Sequence, residues 1–315
     1  MISIEKKKFQ KNALVDITVH QILKVLAMLS ASFIFVVIGV ILAKGIEPFI
    51  TSNQGLGRVQ LIPFLTGDVW LTGPTFQSSL YSVGFIIVMT IYVVFLSLFI
   101  SFPIGVLTAL FIAKIAPKKI AETLRTIVEI LASIPSIIYG LFGAGFVLKF
   151  VYDFSAILGY QSKGGNSVLA TVIILALMTI PTITTIAEVS IRSVDKKLIE
   201  ASLALGASPT QTHFKVVLSA AKSGIFTAAI LGVGRALGEA TAVSLVAGGR
   251  RQGLSFDILD TTATLTTTML EGMKESQGLD YNIRFSVGIV LMAVILLTNF
   301  ILNSIKKKVG QIDVK

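Results

Sequence analysis

The feature that most restricts this chain is a series of long apolar runs that are almost free of charged residues. The hydrocarbon core of a bilayer is about 30 Å thick, and a helix of about 20 residues crosses it. Runs of this kind occupy residues 25–43, 78–113, 130–148, 167–187, 224–249 and 285–305. We therefore expect an all-α, polytopic membrane protein with six transmembrane helices.

The composition excludes most other classes. Only 14% of the 315 residues are charged and 54% are hydrophobic, whereas about a quarter of the residues of a soluble protein are charged. The chain has no cysteine, which excludes thiol catalysis and cysteine-held metal sites. His20 and His213 lie far apart without ligand spacing. No metal site and no cofactor are expected, and a soluble enzyme is excluded.

Prolines in the second and third runs predict changes in helix direction. The run 78–113 is long for one helix, and Pro103 predicts a single span followed by a bent continuation, 104–113, on the cytoplasmic side. Pro135 is expected to bend the third span and to free the carbonyl of Leu131, with Ser133 or Ser136 as its hydrogen-bond partner. Ser136 is also a candidate substrate contact, although a simple structural kink explains Pro135 equally well.

The positive charges predict the orientation. If both termini and the segments 114–129 and 188–223 are cytoplasmic, that side holds 18 of the 27 Lys and Arg residues, as the positive-inside rule requires. The net charge of +10 is then mainly a topology signal, with anionic lipid headgroups as its partner. No basic stripe is interleaved with aromatic residues, so no nucleic-acid partner is expected.

The segment 193–222 is predicted to form a helical hairpin at the membrane surface. Its first helix ends at Gly206, since glycine permits the left-handed backbone that closes a helix. Ser208, Pro209 and Gln211 then form a capping box with proline at the first helical position, which starts a second helix. The hairpin either lies on the bilayer or docks on a partner. An acidic helix rich in small residues has little reason to lie flat on anionic lipid.

The fifth run carries two charges, Arg235 and Glu239, that are costly in a membrane and usually mark a transport pathway. Their i, i+4 spacing predicts that both lie on one helical face. One interpretation is a structural ion pair beside the close-packing motif Gly234-xxx-Gly238. The other is anion capture, because a guanidinium matches tetrahedral oxyanions. Glu239 would then orient Arg235 or accept a hydrogen bond from a monohydrogen oxyanion, which distinguishes phosphate from sulfate.

Two motifs resemble a known family. Glu200-Ala201-Ser202, followed after three residues by Gly206 and after nine more by Val216, resembles the EAA loop of ABC importer permeases. Residues 232–243 (GVGRALGEATAV) are similar to the fifth-span motif of phosphate importer permeases of the PstC type. Residues 132–140 resemble the third span of that family, and residues 264–267 match its outer loop more weakly.

The resemblance implies an ABC importer type-1 permease fold with its core at 76–305, preceded by residues 1–75 and followed by a cytoplasmic tail, 306–315. It implies import of inorganic phosphate across the cytoplasmic membrane of a prokaryote, with Arg235 and Glu239 in the substrate pathway. The chain is expected not to be an enzyme, because it lacks a phosphate-binding loop.

The same resemblance implies the partners. ATP hydrolysis is expected on a dimer of ATP-binding subunits that docks on the hairpin through Glu200, Ala201 and Gly206. A second homologous permease subunit and an extracytoplasmic phosphate-binding protein complete the expected complex in the lipid bilayer.

Other hypotheses remain open. A permease for sulfate or molybdate would use the same architecture. A secondary transporter driven by an ion gradient would need no ATPase, but it would leave the pattern at 200–219 without a purpose. A scaffold or signalling subunit would not need Arg235 and Glu239. The outer loop 250–281 either caps the pathway, meets a binding protein or is only solvated.

Overall fold

The structure is a computed structural model that describes residues 2–72 and 80–311; side chains are described for 16–53, 55–72 and 80–308. The described chain is mostly helical, and its β-structure is limited to isolated β-bridges between loops. The helices are α1 (Ile2–Ile50), α2 (Leu61–Thr66), α3 (Gly84–Leu110), α4 (Lys118–Ser133), α5 (Ser136–Phe142), α6 (Leu148–Ile157), α7 (Val168–Arg192), α8 (Lys196–Ala204), α9 (Pro209–Gln211), α10 (Leu218–Ala220), α11 (Lys222–Gly238), α12 (Thr241–Ser244), α13 (Leu265–Leu270) and α14 (Gly278–Gln311).

Five helical segments are long and apolar enough to cross a membrane: 16–50, 84–115, 136–157, 168–192 and 278–308. A sixth crossing is obtained if the bent pair Pro209–Ala220 and Lys222–Gly238, with an angle of 68° between its parts, counts as one. The predicted all-α membrane architecture is confirmed. The predicted start of the second span, residues 78 and 79, lies outside the described residues.

The crossings define two ends of the bundle. We call the end with residues 193–221 the hairpin end, and the end with residues 51–72, 158–167 and 245–277 the loop end. Helix α7 begins at the loop end with Ser167, whose side chain caps the N–H of Ala170 at 3.1 Å. It terminates at Arg192, at the hairpin end.

Helix α7 is the most buried of the five candidate spans, and glycines allow its neighbours to approach closely. A Cβ atom on Gly105 of α3 would lie 2.8 Å from the side chain of Ile183, and one on Gly232 of α11 would lie 3.0 Å from it. Ile183 itself is completely buried. The three helices α3, α7 and α11 are therefore packed together around a single isoleucine side chain.

The first and last crossings pack against each other. A Cβ atom on Gly45 of α1 would lie 2.8 Å from the backbone of Phe285 in α14, and Ser286 Oγ donates to the carbonyl of Gly45 at 2.6 Å. Large apolar side chains elsewhere on these helices, such as Phe33 and Phe300, are more than two-thirds exposed. Exposed apolar surface of this extent suits contact with lipid.

The third predicted span, 130–148, is wrong in its bounds. Helix α4 ends at Ser133, and Pro135 is extended and precedes α5, so the apolar segment begins at Ser136 and continues to Ile157. Pro135 therefore separates two helices and does not kink one. The carbonyl of Leu131 accepts a hydrogen bond from Tyr139 Oη at 2.9 Å, not from Ser133 or Ser136.

Two other prolines do not interrupt their helices. Helix α3 continues through Pro103 and ends in a π-helical turn, Phe111–Ile115, within one candidate span, and α7 continues through Pro181. The expected single second span is thus present. Its continuation beyond Pro103 is part of the same helix.

A buried ion cluster ties the helices together near the hairpin end. Only 7% of the Glu188 side chain is exposed, and its Oε1 accepts from Arg125 Nη2 of α4 at 2.6 Å and from Arg192 Nε at 2.7 Å. Arg192 also donates to the carbonyl of Ile112, in the π turn after α3. The carboxylate is therefore held by two guanidiniums from different helices, as a charge removed from water requires.

The predicted hairpin is confirmed as a structural element. Helix α8 ends before Gly206, whose φ of 83° is the left-handed conformation. The Ser208–Gln211 capping box with Pro209 starts the second helix, which continues through a π-helical stretch, Thr212–Val217. Ser202 and Thr212 hydroxyls are 2.9 Å apart and join the two helices.

Candidate functional site

The fifth crossing is broken, which corrects two predictions. Helix α11 ends at Gly238, Glu239 is extended with φ −78° and ψ 119°, and the short helix α12 begins at Thr241. The expected continuous span 224–249 is therefore wrong. Because the backbone leaves the helix between them, Arg235 and Glu239 do not form the expected i, i+4 pair, and no ion pair joins them.

Arg235 lies in the last turn of α11. A helix rises about 1.5 Å per residue, so Arg235 lies roughly 20 Å from Lys222, well within the thickness of a membrane. Its Nη1 donates to Thr182 Oγ1 of α7 at 2.7 Å. A guanidinium has five N–H donors, and within the described residues this neutral hydroxyl is its one hydrogen-bonded partner. The side chain is partly exposed, so the remaining donors are open to a ligand.

Glu239 holds the broken backbone together. Its Oε1 accepts from the N–H of Ala242 at 2.9 Å, which caps the start of α12, and its carbonyl accepts from Thr266 Oγ1 at 2.8 Å. Backbone groups that leave a helix inside a membrane need such partners. The carboxylate therefore caps a helix instead of orienting Arg235, and its second oxygen has no described hydrogen bond.

Helix α5 packs against the broken segment of the fifth crossing. A Cβ atom on Gly140 would lie 2.9 Å from Cα of Ala242, so α5 and α12 are in backbone contact. Tyr139, one residue earlier, is buried. Ser136 is the first residue of α5 and is partly exposed. No described hydrogen bond joins Ser136 to Arg235 or Glu239.

A cavity of about 380 Å³ opens on the loop-end side of the break. We call it the break cavity; Thr241 and Ser244 of α12, Thr267 of α13, Gly249 and Glu271 are among the residues that line it. Thr241 is two residues from Glu239. The cavity therefore connects the broken segment with the loop end, and its lining offers hydroxyls and one carboxylate.

Sequence reasoning missed two of the residues that organise the site. Thr182 follows Pro181 in the fourth predicted span, where a hydroxyl in an apolar run was the only available signal. Thr266 lies in the threonine-rich stretch of the loop, and its bond to Glu239 joins residues 27 positions apart. Neither contact follows from local spacing.

The residues expected to contact an ATPase form a separate group. Glu200 and Ala201 of α8 and Gly206 are all exposed on the hairpin. Leu205 is 89% exposed and Phe214 is 47% exposed beside them. The structure thus keeps the two groups of predicted site residues at different places, one on the hairpin and one at the break.

Known membrane transport proteins resemble this chain in sequence. The family described as "Binding-protein-dependent transport system inner membrane component" matches residues 101–311. "Probable ABC transporter permease protein YqgH" of Bacillus subtilis is 37% identical over 270 residues, with 85% of this chain and 82% of the relative covered. "Phosphate transport system permease protein PstC 1" of Mycobacterium tuberculosis is 29% identical, over 82% of this chain and 86% of the relative.

Solved structures share the fold. A bacterial alginate ABC transporter in complex with an alginate-bound periplasmic protein matches with a TM-score of 0.60 at 18% identity, covering 90% of this chain and 93% of that one. The MetNI methionine ABC transporter matches with 0.52 at 25% identity, covering 70% and 91%. Fold and matches together define a multi-pass membrane permease of an ABC importer. The chain belongs to the family of binding-protein-dependent transport system inner membrane components.

Proposed function

We propose that this chain is the permease subunit that carries inorganic phosphate through a phosphate ABC importer of the PstC type. Relatives named as phosphate transport system permeases, from Mycobacterium tuberculosis and Pasteurella multocida, support this substrate and align over 82% and 93% of this chain. The transporter lies in the cytoplasmic membrane of a prokaryote, with the hairpin end and both termini in the cytoplasm. The excess of Lys and Arg at the hairpin end supports this orientation.

The observation that carries the proposal is the open guanidinium of Arg235 at the end of a broken helix. A charge in a membrane that serves only packing needs an opposite charge beside it, and Arg235 is bonded to a neutral hydroxyl. A tetrahedral oxyanion accepts hydrogen bonds from the fork of a guanidinium. Phosphate therefore fits this position as the missing counter-ion.

Glu239 supplies selectivity in this proposal. The carboxylate oxygen that does not cap α12 accepts a hydrogen bond from the proton that phosphate retains near neutral pH. Sulfate is fully ionised at that pH and is repelled. One guanidinium balances only part of the charge of a divalent anion, so a second homologous permease contributes another cationic side chain to the pathway. Ser136, at the start of α5, is a further hydroxyl donor.

The hairpin couples ATP hydrolysis to transport in this proposal. ATP is hydrolysed on a dimer of ATP-binding subunits, which contacts Glu200, Ala201 and the turn at Gly206. The exposed Leu205 and Phe214 support such a docking surface, since exposed apolar groups on a polar hairpin mark interaction sites. An extracytoplasmic binding protein delivers phosphate to the loop end. Closure of the ATPase dimer then moves the hairpin and opens the bundle outward, and ATP hydrolysis restores the inward-facing state.

The competing function is import of another oxyanion, such as sulfate or molybdate. The structural neighbours transport methionine and alginate by their titles, so the fold supports several substrates and the residues at the break must decide. An ion-coupled secondary transporter, the more distant alternative, would transport without ATP.

The test is uptake of radiolabelled phosphate by the complete complex in proteoliposomes with ATP inside. Arg235→Gln removes charge-assisted hydrogen bonds, and we expect uptake to fall roughly 10- to 100-fold. Arg58→Gln, an exposed arginine in a loop-end segment, is the matched control and should transport normally. Unlabelled phosphate should compete and sulfate should not. Full uptake by a stable Arg235→Gln complex, or competition by sulfate, would refute the proposal.

A further inference from the structure

A second cavity, of about 160 Å³, lies at the loop end. We call it the arginine cavity, because Arg250, Arg251 and Arg284 all line it, together with Thr72 and Glu271. A water molecule occupies about 30 Å³ in the liquid, so the space suits a five-atom anion and one or two waters. Gly249 and Glu271 line this cavity and the break cavity alike, so the two are adjacent.

Arg284 has an unusual position for a cation. Its side chain is 3% exposed and its guanidinium donates to the carbonyls of Thr268 and Glu271. In the described part of the chain its one carboxylate partner is Asp280, at 3.5 Å. Its Nε–H is buried and has no hydrogen-bond partner among the residues that the structure describes. An unmet donor on a buried charge is costly, and an anion in the cavity would supply the missing acceptor.

The other two arginines differ from each other. Arg250 is neutralised by Asp260. Burial raises the pKa of Asp260, but hydrogen bonds from the Thr261 N–H, Ser255 and Arg250 outweigh burial and place that pKa below its usual range. Asp260 is therefore ionised at neutral pH. Arg251 has no side-chain acceptor among the described residues, while its carbonyl accepts from the Trp70 N–H at 2.8 Å, which fixes its backbone at the rim.

We propose that the arginine cavity is an outer binding site for monohydrogen phosphate, which Arg251 and Arg284 bind before the anion reaches the break cavity. The inference rests on the proposed function and extends it to a second site. Glu271 accepts the hydrogen bond from the protonated phosphate oxygen, so this site rejects sulfate by the same chemistry as Glu239. A lipid headgroup carries the same phosphate chemistry, but the cavity is small for a headgroup with its glycerol.

The test uses the absence of cysteine from this chain. Thr72→Cys places one thiol in the cavity lining, and the rate of its modification by an anionic methanethiosulfonate is measured in the assembled complex without ATP. At ten times its dissociation constant, phosphate should slow modification about tenfold. Sulfate at equal ionic strength should not protect. Gln161→Cys, in a separate loop-end cavity, should be modified at the same rate with and without phosphate.

Variants of Arg251 and Arg235 distinguish failure of this inference from failure of the proposed function. Arg251→Gln should abolish the protection and Arg251→Lys should restore part of it, while Arg235→Gln should leave it intact. Since Arg251 is exposed, its replacement leaves the fold unchanged, which the thermal midpoint verifies. Equal protection in Arg251→Gln, no protection in a complex that transports phosphate, or protection by sulfate would overturn the inference. So would protection by phosphatidylglycerol in place of phosphate. Failure of the proposed function would instead appear as normal uptake by Arg235→Gln.

Discussion

Glu188 and Arg235 are both ionisable groups within the helix bundle, yet their surroundings differ. Glu188 is nearly inaccessible and is bonded to two arginines from α4 and α7. Arg235 is partly exposed and is bonded to one neutral hydroxyl. A charge in the bundle is therefore structural when neighbouring side chains neutralise it. A charged side chain that has no opposite charge beside it is available to bind a ligand.

Glu188→Gln tests the structural half of this comparison and should have the largest effect on stability. It leaves two guanidiniums without a counter-charge. Because both arginines are more than a third exposed, solvent reduces the cost, and we expect about 2 kcal/mol of destabilisation. The measurement is the thermal midpoint of the purified complex.

Glu122→Gln is the matched control for this variant. It removes an exposed carboxylate whose pairing with Lys118 has a separation of 4.0 Å, and the midpoint should not move. Uptake per folded Glu188→Gln complex should keep the preference for phosphate that we propose for the unaltered protein. A change in substrate preference, with the midpoint unchanged, would show that Glu188 belongs with Arg235.

Thr182→Val tests the role of Arg235, the second charged residue of the comparison. The isosteric change removes the hydroxyl that holds Arg235 and should reduce uptake about tenfold, the equivalent of one lost hydrogen bond to a charged group. Thr184→Val is the control, because the hydroxyl of Thr184 is buried without a hydrogen-bond partner in the described structure and its loss should be neutral or stabilising. Equal uptake by the two variants would mean that the position of Arg235 does not depend on α7.

Gly206→Ala should have the smallest effect on uptake. It extends the comparison to the hairpin, which adjoins the ion cluster around Glu188. A Cβ atom at Gly206 would contact nothing within 4 Å, so the change acts only through its φ of 83° and costs about 1 kcal/mol. Co-purification of the ATP-binding subunits should weaken modestly.

Gly39→Ala, in the middle of α1 and equally free of contacts, is the control for this variant and should stabilise its helix slightly. Undiminished ATP-driven uptake by Gly206→Ala would contradict the proposed role of the turn.

Sequence reasoning predicted the parts of this fold that local rules determine. The apolar runs gave the membrane crossings, and Gly206 with the Ser208 capping box gave the hairpin and its turn. Both signals act over a few residues, through hydrophobic transfer and through satisfaction of helix-end N–H groups.

The break at Glu239 could not be predicted in the same way. No proline interrupts residues 224–249, and a helix continues through glycine unless other groups satisfy the freed backbone. Here Thr266, distant in sequence, bonds the carbonyl of Glu239, and Glu239 itself bonds the N–H of Ala242. The separation of Arg235 from Glu239 is therefore a tertiary effect. Pro135 was misread for a related reason, because its apolar flanks concealed the boundary between two helices.

The packing around Ile183 has a mechanical consequence. With Gly105 on one side and Gly232 on the other, α3 and α11 both lie close to the same side chain of α7, and we therefore expect the three helices to move together. In the proposed transport cycle, movement of the hairpin is transmitted to these helices at the 68° bend before Lys222 and ends at Glu239, where the helix stops. Helix α11 is thus bent at one end, beside the hairpin where we propose that an ATPase docks, and ends at Gly238 beside the proposed phosphate site.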